Sequence, residues 1–288
     1  MATKKSASAA KKSTKKSTPA AKKTTTKVTT VKAASAAASS SKASTKFSFS
    51  RSPLLAAGIA ELVGTFMLAA IVLTTAGSSV LILFALTAIV LAVGAVSGAH
   101  VNPAITIGAW VTRRVDSMRA VTYLVAQVLG ALLALVVVNG FLSAAPEPAA
   151  NSQQMLFAAQ AAAPELFKLG EVVKDKEWLL LAAEMLGTAL FAFGVASTSR
   201  EKNRMATAFT VGGSLFLALT VVSYLTGVAT GAAGNAGPAV LNPAIAASLQ
   251  GLAWSWWPIA IYALAPAVGG VIGFAVRDLL QNESEAKA

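Results

Sequence analysis

The chain has 288 residues, 55% hydrophobic and 12% charged, with a mean hydropathy of +0.65, a balance found in integral membrane proteins rather than soluble domains. Its formal net charge of +12 is concentrated at one end: residues 1–52 hold 13 Lys or Arg and no acid, leaving 11 basic residues against all 12 acidic ones elsewhere. With no cysteine and a single histidine, disulfides, thiolate catalysis and Cys- or His-built metal sites are not expected, and no cofactor is.

Residues 1–52 are dominated by Lys, Ala, Ser and Thr, as in KKSTKKSTPAAKKTTTK. Such a composition cannot bury a core, so this segment reads as a disordered cytoplasmic tail. An anionic lipid surface is its simplest partner, since a span follows. Nucleic acid is a second, because the composition is like that of histone H1 tails. A cleaved transit peptide also fits the acid-free pattern, as does a solvated tail with no dedicated partner. No apolar core follows within the first 30 residues, so it does not read as a secretory signal.

Six stretches then reach the roughly 20 residues that a bilayer demands. They fall at 53–75, 79–96, 118–141, 178–198, 205–226 and 256–276. Arg113 and Arg114 lie between the second and third, with Arg119 at the very start of the third, Arg200, Lys202 and Arg204 between the fourth and fifth, and Arg277 follows the sixth. The connections after the first and fifth spans carry no charge. The long one at 142–177 mixes Lys168, Lys174 and Lys176 with Glu147, Glu165, Glu171, Asp175 and Glu177, and reads as a solvated loop, with a cover over the outer mouth as the alternative. The positive-inside rule then puts both termini in the cytoplasm of a multi-pass plasma-membrane protein. Trp254, Trp256 and Trp257 join the interfacial belt.

The apolar body repeats. AELVGTF at 60–66 is answered by AEMLGTALF at 183–191, and each is followed two segments later by Asn-Pro-Ala, at Asn102, Pro103, Ala104 and at Asn242, Pro243, Ala244. Three spans per half is an odd number, so the second half enters from the opposite side: an inverted repeat, about 53–141 and 178–278. Proline suits the first turn of a helix and asparagine its N-cap. Each triplet therefore starts a re-entrant half-helix, tolerated at that depth only if protein or a watery cavity surrounds it. Two such helices aim positive N-termini at one point, where two Asn amides offer donors to a neutral molecule and repel cations. Capping alone is the blander role of the pair.

With SGAHVNPAITIG at 97–108, YLVAQVLGA at 123–131, YALAPAVGG at 262–270 and the second triplet, the body resembles an aquaporin of the major intrinsic protein family. The resemblance covers about 53–278 and leaves out the tail and the last residues, 279–288. It implies an all-α membrane fold of six transmembrane helices plus two re-entrant half-helices. It also implies a passive pore for water or small neutral solutes such as glycerol, one per subunit of a homotetramer, with no enzymatic activity. Glu61 and Glu184 invite a proton relay, but the resemblance implies a scaffold that accepts hydrogen bonds from the re-entrant loops. His100 invites gating; the resemblance makes it a loop-shaping residue. Gln127 is expected to pack between helices, and Gly130, Gly187, Gly213, Gly269 and Gly273 to allow close helix approach.

One departure matters. The resemblance implies an arginine directly after the second triplet, or an aspartate next in glycerol facilitators; here Ile245 and Ala246 stand. By motif spacing the other constriction positions are Ile82, Leu219 and Ala239, which makes an aliphatic ring able to dewet. The alternatives are an ion- or proton-coupled carrier working through Glu61 and Glu184, and a membrane tether whose tail holds nucleic acid or anionic lipid.

Overall fold

The computed structural model describes residues 52–145, 166–232 and 239–286. The basic tail up to residue 51, Glu147 and Glu165 in the long connection, and 233–238 ahead of the second triplet lie outside the described residues. Within them, every regular element is helical: α1 (Pro53–Thr74), α2 (Ser79–Ser97), α3 (Pro103–Val111), α4 (Ser117–Ser143), α5 (Glu177–Ser197), α6 (Arg204–Thr230), α7 (Pro243–Ser248), α8 (Trp256–Ile259), a π-helical turn (Ala260–Leu264) and α9 (Ala265–Ala286). Six helical stretches are long and apolar enough to cross a membrane: α1, α2, α4, α5, α6 and the sweep from α8 into α9. The last runs to Ala286 rather than ending near 276, so the described part of the expected C-terminal tail continues the helix.

Local chemistry sets the boundaries. Ser52 Oγ accepts from the Leu55 N–H (3.1 Å) and Pro53 occupies the first turn of α1. Gly98, at φ 91°, ends α2 in the left-handed conformation that glycine adopts without penalty. Asp116 caps α4 by accepting from the Arg119 N–H (3.0 Å), and that bond holds its carboxyl below the usual carboxylate range. Pro266 cannot donate a backbone hydrogen bond, and the turn ahead of it opens to π geometry, with the Ala265 N–H reaching back to the Ala260 carbonyl. At the matching place in the first half, YLVAQVLG against YALAPAVG, the residue is Gln127 and α4 stays regular.

The two halves repeat in packing as well as in sequence. A methyl group on Gly130 would sit 2.3 Å from the Leu62 carbonyl oxygen, and one on Gly269 would sit 2.2 Å from that of Met185. Leu62 follows Glu61 and Met185 follows Glu184, so α4 on α1 and α9 on α5 use the same close approach. Gly187 and Gly273 also meet neighbours below 3 Å, as expected. Gly213 does not: it faces open space, and the close approach belongs to Gly212, against Thr87 Oγ1 and the Leu83 carbonyl of α2. The helix phase of α6, invisible in a Gly-Gly pair, decides which of the two it is. Gly269→Ala is expected to cost about 3 kcal/mol through backbone overpacking, while Gly213→Ala leaves stability unchanged. Thermal unfolding midpoints of the two variants in detergent check this.

Trp254 and Trp256 project outward, as a belt requires, but Trp257 packs edge-on against Trp178 with ring centroids 5.0 Å apart. At the opposite end Arg114 pairs with Asp278 and lies 5.0 Å over the Phe274 ring, tying the segment after α3 to α9.

Candidate functional site

The site is assembled where α3 and α7 begin. Asn102 and Asn242 occupy the N-caps, and Pro103 and Pro243 the first turns. Asn102 Oδ1 accepts from the Ala104 N–H (2.8 Å), and Asn242 Oδ1 from the N–H groups of Ala244 (3.0 Å) and Ile245 (3.4 Å). The amide nitrogens cross over: Asn102 Nδ2 donates to the Leu241 carbonyl (2.8 Å) and Asn242 Nδ2 to the Val101 carbonyl (2.9 Å). Capping and pairing of the two halves are thus done by the same side chains. One hydrogen of each amide is spent on the opposite loop, so each Asn has a single donor left rather than a whole amide. Ala104 and Ala244 are completely buried.

Val101 and Leu241 adopt φ of 41° and 56°, a left-handed conformation costly for residues with a Cβ. The two buried glutamates hold them there. Glu61 Oε1 accepts from the His100 N–H (2.9 Å) and Oε2 from the Val101 N–H (2.6 Å). Glu184 Oε1 accepts from the Val240 N–H (2.8 Å) and Oε2 from the Leu241 N–H (2.7 Å). Gln127 does more than pack between helices: its Nε2 donates to Glu61 Oε2 (2.7 Å) and to Thr106 Oγ1 (2.9 Å), and Thr106 Oγ1 lies 3.1 Å from His100 Nδ1. The second half lacks this extension, since Pro266, Ala246 and Val240 stand where Gln127, Thr106 and His100 would be repeated.

A cavity of ≈ 870 Å³ runs from the turn after α1 and the described end of the long connection down to Asn102, Asn242 and His100. Ile82, Leu219, Ala239 and Ile245 all line it, so the four positions chosen by spacing meet around one space. Spacing missed Leu68 and Phe191, which also line it; each stands seven residues after its glutamate, on the same helix face, and that period was the available signal. The long connection is not simply solvated. Phe167 lies against Gly77, and Leu169 fits against Gly251 while its N–H bonds the Leu249 carbonyl (3.0 Å), so 167–171 form part of the cavity wall. Apolar Leu166, Phe167 and Leu169, set among charged residues, are what pull this segment onto the body.

A model of the major intrinsic protein family matches residues 48–276. This chain belongs to that family. Glycerol uptake facilitator protein-like 6 of Lactiplantibacillus plantarum is 30% identical over 236 residues, covering 78% of this chain and 98% of that protein. Aquaporin AqpM of Methanothermobacter thermautotrophicus is 30% identical over 203 residues, covering 69% and 74%. The structure of the aquaglyceroporin from Plasmodium falciparum superposes with a TM-score of 0.59 at 18% identity, over 82% of this chain and all of that one, which marks the shared fold. As a major intrinsic protein with six membrane-length helices among the described residues, the chain is a multi-pass membrane protein.

Proposed function

We propose that this chain is a passive channel for water and small uncharged solutes of the glycerol type, conducting between the two half-helices. The observation that carries the proposal is the reciprocal pair, Asn102 to the Leu241 carbonyl and Asn242 to the Val101 carbonyl, at the inner end of the cavity. Two helix N-termini and two residual amide hydrogens there favour an oxygen acceptor and oppose a cation. The constriction proposed at Ile82, Leu219, Ala239 and Ile245 carries no charge, so exclusion of protons and ions rests on the half-helices alone. We assign the channel to the plasma membrane as a homotetramer with one pore per subunit and both termini cytoplasmic, the last from the arginines between spans.

A carrier would need Glu61 or Glu184 free to exchange protons with the pathway. What favours a channel is that both carboxylates already accept backbone N–H groups from the re-entrant loops. The experiment is solute flux into proteoliposomes against rising concentration, with and without a proton gradient. A channel gives non-saturating flux that ignores the gradient; saturation together with gradient-driven accumulation would establish the carrier. Deleting residues 1–50 is expected to leave the permeability per folded protein unchanged, which separates a pore from a tether.

A further inference from the structure

We propose that Leu169 is a positioning residue of the pore: seated on Gly251, it pins the C-terminal end of α7 and thereby fixes the constriction at Ile245. The inference rests on the channel reading above, and it begins with a difference between the two half-helices. α3 has nine residues and α7 only six, about one turn fewer. So short a helix closes few hydrogen bonds of its own and must be held from outside. At its N-terminal end Asn242 caps the Ala244 N–H, and Glu184 holds the preceding Leu241.

The C-terminal ends are built alike but fastened differently. Arg113 and Gln250 take the left-handed conformation, at φ of 60° and 57°. The next N–H then turns back into the helix, Arg114 to the Ala109 carbonyl (2.7 Å) and Gly251 to the Ala246 carbonyl (2.9 Å). An apolar contact from this last residue commonly closes such an ending. In the first half Arg114 supplies the fastening, lying over the Phe274 ring and pairing with Asp278, which ties α3 to α9. In the second half the residue is a glycine, with no side chain to give. Leu169 fills the place from the long connection: a methyl group on Gly251 would sit 2.3 Å from Leu169 Cδ1. The Leu169 N–H also donates to the Leu249 carbonyl (3.0 Å), one of the acceptors left over where a helix ends. Two residues earlier, Phe167 rests on Gly77 in the turn after α1, so the segment is anchored on both halves of the body.

Ile245 is one hydrogen bond away from that grip. Its carbonyl accepts the Leu249 N–H (2.9 Å) and the Ser248 hydroxyl (2.8 Å). A shift of Leu249 therefore carries Ile245 with it, and Ile245 shares the cavity with Ile82 and Leu219. Leu169 itself carries no polar group toward the solute; it acts through α7.

The chain has no cysteine, which makes a reversible test available. A methyl group on Gly251 would lie 3.3 Å from Leu169 Cβ, close to the roughly 3.8 Å that a disulfide spans between Cβ atoms. The full chain carrying Leu169→Cys and Gly251→Cys together is reconstituted in liposomes, and glycerol and water permeabilities are recorded oxidised and again after reduction with dithiothreitol. The oxidised protein is expected to keep the native ratio of glycerol to water, and reduction to raise it. Leu169→Ala should raise the ratio by about fivefold, equivalent to about 1 kcal/mol between the two barriers, while Leu169→Met keeps the native value. A lower melting temperature in Leu169→Ala with an unmoved ratio would make Leu169 a structural residue only and overturn the proposal. So would a double-cysteine protein whose ratio ignores reduction, and that comparison decides even if Leu169→Ala does not fold. Native flux with a ratio indifferent to Leu169 leaves the channel standing and removes this inference; a native chain with no flux above empty liposomes removes the channel.

Discussion

Replacing Glu184 with alanine is expected to destabilise the folded protein by about 3 kcal/mol or more and to abolish conduction with it. The substitution strands the N–H groups of Val240 and Leu241, both buried, and each buried donor without a partner costs about 1–3 kcal/mol. It also releases Leu241 from its left-handed conformation and withdraws the carbonyl to which Asn102 donates. Glu184→Gln, which keeps one acceptor oxygen, should fall between. Thermal unfolding in detergent alongside osmotic flux per folded protein checks the pair. A stable Glu184→Ala variant that loses only gradient-driven transport would transfer this carboxylate from the scaffold to a proton relay.

The second large effect is on selectivity. Ile245→Arg should lower the ratio of glycerol to water permeability by about tenfold, equivalent to 1.4 kcal/mol of discrimination. Ile245 is buried, lines the cavity, and shares it with Ile82, Leu219 and Ala239. A guanidinium there fills width and supplies a fixed charge with several donors, so water gains partners as larger solutes lose space. Parallel light-scattering measurements of the two fluxes give the ratio; an unchanged ratio would mean the narrowest point lies elsewhere along the cavity.

Much of this was legible in the residues and in the family resemblance that they carry. Asn-Pro twice within apolar sequence can only be a capped helix start, and the structure places both as such. The doubled Glu invited a proton relay by itself and a scaffold by the family resemblance; its hydrogen bonds fall on equivalent backbone groups of the two loops. What sequence could not supply was phase and partner. Gly212 and Gly213 differ only in which way α6 is turned. Gln127 looked like a packing residue because its hydrogen-bond partners stand at positions 61 and 106, far away along the chain. The wall made by 167–171 depends on three apolar side chains in a charged loop, too short a signal to outweigh the loop's composition.

Passive conduction between the half-helices is open to one decisive measurement, stopped-flow light scattering on proteoliposomes, recording osmotic water flux and glycerol flux side by side. At least one of the two is expected to rise well above protein-free liposomes, and the same rise to survive deletion of residues 1–50. Equal fluxes in protein-containing and empty liposomes, with the protein folded and inserted, would contradict it.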